Sequence, residues 1–129
     1  MEKELVLLPE SFGKTYNMRL LYVYDFFWRD KYKFGYRGNI GAFSKQMMGL
    51  LDQYNEMQIA CLMGVFFHWR GIEGNDEFEY TQVARSGFSI FWFVKVVTTY
   101  EIYVRNVVGV DMDNKESMVK FLSSFGLKM

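Results

Sequence analysis

Cysteine, histidine and proline each occur once in the 129 residues. A lone Cys61 cannot close an internal disulfide, which fits a reducing compartment better than an oxidising one. One histidine and one cysteine cannot assemble the usual nitrogen and sulfur ligand set of a zinc site. Net charge is missing too. Fifteen Lys and Arg balance fifteen Asp and Glu, so the global basic excess of a dedicated nucleic-acid binder is absent. No apolar run approaches the roughly 18 residues that span a bilayer. The densest stretch, Phe88 to Val108, is cut by Lys95, Glu101 and Arg105. The run Leu5-Val6-Leu7-Leu8 is too short for a secretion-signal core and is flanked by Glu2 and Glu4. These absences lead to the expectation of a cytoplasmic chain with no targeting segment, membrane partner, metal or cofactor.

What is present is apolar and aromatic. Half of the residues are hydrophobic and 19% are aromatic, enough to drive collapse and exclude disorder. The length fits one domain. The expected organisation is an irregular arm over residues 1–13, closed by Pro9 and Gly13, and a single helical domain over residues 14–129.

Apolar spacing predicts an all-α bundle of about five main helices. From Thr15 to about Phe34, Leu21, Tyr24, Trp28 and Tyr32 form one row, and Leu20, Val23 and Phe27 a second. Two rows make a wide apolar face, as expected of a central helix. After a loop at Gly35–Asn39, Asn39 is placed to cap a helix carrying Ile40, Phe43, Met47, Leu50, Leu51 and Tyr54. Asn55 caps the next, with Ile59, Leu62, Met63, Phe66 and Trp69. The short link predicts that these two helices pack as an antiparallel pair or an angled helix-turn-helix. Tyr80 to Arg85 reads as a short helix. Ser89 to Val108 reads as helix on length, although Val96 to Tyr100 also favours β structure. Gly109 stops it. Asp113 and Glu116 read as a capping box for a last helix ended by Gly126. The expected core runs through Leu21, Phe43, Met47, Leu50, Leu62, Met63, Phe66, Val94 and Val97.

Catalytic patterns are lacking. Gly35-Tyr36-Arg37-Gly38 has no Lys-Ser/Thr ending of a phosphate loop, and no Gly-x-Ser-x-Gly occurs. His68 is either a partly buried helix-end residue or, with a carboxylate such as Asp25 or Asp52, a general base. Cys61 lies between Ala60 and Leu62 and reads as a small buried hydrophobe. No catalytic residue is assigned, and the chain is read as non-enzymatic.

Three stretches point instead to binding. Between residues 29 and 45 five cations, Arg29, Lys31, Lys33, Arg37 and Lys45, face one acid, Asp30, with Tyr32 and Tyr36 interleaved. Cations for phosphates and rings for bases suit nucleic acid. An acidic partner suits the same charges, and so does plain helix-end chemistry. Residues 71–79 form an acidic loop with Glu73, Asp76, Glu77 and Glu79. It reads as a solvated loop or as a contact for a basic partner. The ring clusters that hold Phe67 and Trp69, and Phe91 and Trp92, point to different sides of their helices and read as a protein interface or as a thick core with ordinary surface apolar residues.

One stretch resembles a known module. It comprises Asp30-Lys31-Tyr32-Lys33-Phe34-Gly35, Lys45 through Leu50-Leu51, Phe66-Phe67, and Gly87-Phe88-Ser89-Ile90 with Phe93. In order and spacing residues 29–107 resemble a helical module of bacteriophage replication and helicase-loading accessory proteins. The resemblance implies an adaptor that joins a helicase or other replication protein to DNA. The expected partner is thus a replication or host protein, with single-stranded or duplex DNA as a further one. The alternatives are an inhibitor of a host enzyme acting through the acidic loop, or a small enzyme around His68.

Overall fold

The computed structural model describes residues 6–68 and 89–129. Five helices build the described body: α1 (Tyr16–Tyr32), α2 (Ile40–Leu50), α3 (Glu56–His68), α4 (Ile90–Tyr103) and α5 (Lys115–Ser123). A tight turn at Glu10–Phe12 precedes them, and α4 widens into a π turn over Val104–Val108. Among the described residues there is no strand. The chain is an all-α bundle, and Ser89 to Val108 is helical. The expected short helix at Tyr80 to Arg85 lies outside the described residues.

Side chains that satisfy free backbone donors start these helices. Thr15 Oγ1 accepts from Met18 N at 3.2 Å, and Asn39 Oδ1 from Ala42 N at 3.0 Å. Asn55 and Gln58 bond reciprocally, each side chain accepting from the other's backbone N–H, at 2.8 and 3.0 Å. The last cap corrects the sequence reading. Asn114, not Asp113, accepts from Ser117 N at 3.0 Å. The Asp113 carboxylate instead takes a hydrogen bond from Arg105 Nη1 at 3.2 Å, because a guanidinium competes well for a carboxylate. Gly109 stops the π turn in the left-handed region, at φ 79°. The last helix ends before Gly126: Ser124 is its C-cap, and Gly126, at φ 100°, closes the turn that follows.

The centre of the bundle is α3, not α1. Met57 and every residue from Ile59 to Phe67 are buried, as expected of a helix apolar nearly all round. Against it pack α1, α4 and α5. Only one stripe of α1, Leu20, Val23, Tyr24 and Phe27, is fully buried. Leu21, Trp28 and Tyr32 flank that stripe and are half-buried, as is Val94 of the expected core. The remaining expected core residues are buried. Nor do α2 and α3 pack side by side as an antiparallel pair, since the main neighbours of α2 are α1 and α4.

The arm joins this body. Leu8 and Phe12 lie in the core, and Leu8 N donates to Glu56 Oε1 at 3.3 Å. The same carboxylate accepts from Arg19 Nε at 2.7 Å and Nη2 at 2.8 Å, while Arg19 Nη1 donates to Gly13 O at 3.3 Å. One buried two-pronged pair thus links the arm, α1 and α3. The hydrogen bond to Glu56 raises the Arg19 pKa, against the opposing cost of burial.

Candidate functional site

The cationic segment folds into one corner at the end of α1. Asp25 organises it: Oδ2 accepts from Arg29 Nε at 2.7 Å, and Oδ1 from Tyr36 N at 2.7 Å. These bonds draw the loop after α1 back along the helix. The chain turns at Lys33, whose φ of 66° is left-handed and whose N–H donates to Arg29 O at 2.8 Å. Lys33 Nζ donates to Asp30 O at 2.7 Å, a cation on the negative end of the helix.

Rings fill the space under the loop. Tyr36 meets Trp28 and Tyr24 edge-on, at 5.1 and 5.2 Å between centroids. Tyr32 leans on Trp28 at 4.6 Å, and Phe34 lies 6.0 Å from Tyr32. The Arg37 guanidinium sits over the Phe34 ring at 5.1 Å. The structure therefore brings Arg29, Tyr32, Lys33, Tyr36 and Arg37 together. Lys31 shares the last turn of α1, and its charge is felt at His68. Lys45 is exposed on α2, and no described contact ties it to the corner.

This geometry refines the stacking idea. Tyr32 and Tyr36 are half-buried against other rings, and burial raises the Tyr36 hydroxyl pKa. The exposed ring is Phe34, which already carries Arg37. The corner's open chemistry is thus positive charge on a packed aromatic footing.

The other expected sites fare differently. Phe67 is 1% exposed and packs against Tyr24, Phe27 and Phe66, so it belongs to the core and not to an interface. It faces inward because α3 is surrounded. Phe91 is exposed, and Trp92 is half-buried with the Lys95 ammonium 4.9 Å from its ring centre. Trp69, Glu73, Asp76, Glu77 and Glu79 lie outside the described residues. His68 stacks on Phe125 at 4.7 Å and meets Phe27 edge-on at 5.6 Å. Burial lowers its pKa, the Lys31 charge lowers it further, and Asp30 opposes them. Cys61 is buried, and burial pushes its thiol pKa far up, away from reactivity.

A second polar constellation escaped the sequence reading. Tyr54 Oη donates to Glu101 Oε1 at 2.8 Å, and Arg105 Nε donates to Glu101 Oε2 at 3.0 Å. With Asp113 these groups line a cavity of about 440 Å³ beside the π turn. Burial and the Glu101 hydrogen bond raise the Tyr54 pKa, so its hydroxyl stays protonated at neutral pH. The signal that could have found it is the Glu101–Arg105 spacing of one helical turn.

Among the described residues no helix is long and apolar enough to cross a membrane. No family model, no curated protein and no solved structure matches this chain.

Proposed function

We propose that this chain is a non-catalytic adaptor that acts through protein contacts, of the accessory kind found in phage replication. The observation that carries the reading is the corner itself. Arg29, Lys33 and Arg37 are gathered on a ring-packed footing in a chain whose total charge is zero. Segregated charge gives a local field even when the total vanishes, and such a field selects anionic partners. An acidic protein surface is the principal partner, with DNA as a weaker, salt-sensitive one.

The test is affinity capture from cells, with mass spectrometry, using wild type and two variants. Lys33→Gly removes a charge at a left-handed position where glycine is at ease. Arg29/Arg37→Glu reverses the corner. A partner held by wild type, weakened by the first variant and lost by the second is expected. Identical partner sets for all three proteins would refute the reading. A parallel titration with single-stranded and duplex oligonucleotides at two salt concentrations measures the DNA contribution.

A further inference from the structure

Beside the corner lies a shallow apolar groove of about 360 Å³ between the arm, α1 and the start of α2. Three large apolar side chains stand open along it: Met18 at 51%, Tyr22 at 46% and Ile40 at 56% exposure. Ile40 continues the apolar row of α2, yet as the first helical residue it lies beyond the core that takes Phe43 and Met47. The arm packs against the wall. Phe12 stacks on Tyr22 with centroids 4.3 Å apart and planes 17° from parallel. A Cβ on Gly13 would lie 2.5 Å from Met18 Cβ, so the arm presses directly on the first turn of α1.

The groove and the corner are continuous. Asp25 and Tyr36 line the groove and also organise the corner. Asp25 is the one charged lining residue, and both its oxygens are already engaged. Cations adjoin one end of the groove: Arg29 is bonded to Asp25, Arg37 follows Tyr36 in the chain and sits over Phe34, and α2 begins at Ile40 with the positive end of its dipole.

We infer that the groove and the corner form one docking surface for an acidic amphipathic helix of a partner protein, with apolar anchors in the groove and carboxylates on Arg29, Lys33 and Arg37. An open apolar patch edged by charge is what an interface requires. Helical ligands present anchors at every third or fourth residue and leave their other faces free to carry acids. A cavity of this volume takes anchor side chains and not a folded domain. The inference rests on the adaptor reading and adds the chemistry of the partner.

The test uses the full chain and a defined probe. The probe is a fluorescein-labelled, lactam-bridged helical peptide with Leu, Ile and Phe along one face and Glu elsewhere, read by anisotropy. Wild type is expected to bind it, less tightly as salt rises. Met18→Glu and Ile40→Glu each should weaken binding about tenfold or more, the worth of one buried apolar anchor. Arg37→Glu should do the same, and Lys115→Glu on α5 should not. Both groove positions are exposed, so these variants keep the wild-type helical spectrum. A probe with Lys in place of Glu should not bind. The inference is overturned if wild type ignores the acidic probe, or if Met18→Glu and Ile40→Glu bind it like wild type. It is also overturned if an oligothymidine or a phosphatidylserine vesicle displaces the probe and its own binding is unaffected by the groove variants. If the cellular partner depends on Arg37 while the groove variants change nothing, the adaptor reading stands and this inference alone falls. If neither corner nor groove matters to any partner, both fall.

Discussion

Helix α1 carries two arginine–carboxylate pairs with the same Nε–O separation of 2.7 Å. Near its start, the Arg19 and Glu56 side chains are 10% and 4% exposed. Near its end, those of Arg29 and Asp25 are 63% and 30% exposed. Distance alone therefore says nothing about what a pair does. The first is shielded from water and salt, spans two helices, and leaves an uncompensated buried charge if either partner is removed. The second lies within one helix, is screened by solvent, and contributes little to folding. It holds a cation at the surface. One end of α1 serves the fold and the other faces outward.

The largest effect is expected at the buried pair. Arg19→Leu or Glu56→Ala should destabilise by about 3–5 kcal/mol in urea unfolding. The double variant Arg19→Met/Glu56→Leu should recover much of that loss, since no charge is left unpaired. A loss under about 1 kcal/mol for either single variant would erase the distinction between the two ends. Phe66→Ala should cost a similar 3–5 kcal/mol or so, because the ring packs against Phe67, Phe93 and Tyr100 at the bundle centre. At the exposed end Asp25→Ala should cost about 1 kcal/mol, chiefly through the Tyr36 N–H it leaves without its partner. Arg29→Ala should cost less still.

The smallest expected effect is a pH dependence from His68, which lies next to Lys31 in the same field. Its pKa is lowered in the folded protein from an ordinary value of 6.5. The unfolded chain therefore takes up the proton first. Stability is full above pH 6.5 or so and declines as the pH falls below that value toward the folded pKa. Unfolding midpoints measured across that window should flatten in His68→Phe. An unchanged slope would mean the imidazole titrates as it does in water.

The sequence carried the helices well because their signals are local. Asn39 and Asn55 cap their helices and Gly109 stops the π turn, as their local spacing predicts, whereas α5 ends at Ser123, short of Gly126. The choice of central helix was harder to read. Both α1 and α3 are rich in apolar residues, and only the packing of three helices on α3 separates them. Phe67 was misread for the same reason, as a ring off the main row of a helix that turns out to have no outer face. The cationic cluster was legible as a run of charge between residues 29 and 45. Its footing was not, because the loop is folded back by Asp25, eleven residues before Tyr36. Arg19 and Glu56 stand 37 residues apart, and Tyr54 and Glu101 47 apart, with no periodicity to link them.

The contrast between the two ends of α1 is tested most directly by measuring unfolding and partner capture on the same two proteins, Glu56→Gln and Arg29/Arg37→Glu. The account predicts that Glu56→Gln lowers the Tm while the protein that remains folded retains the partner. It predicts that Arg29/Arg37→Glu keeps the Tm within a few degrees, the range of a surface change, and loses the partner. A corner-reversed protein that captures the wild-type partner at wild-type yield would contradict it.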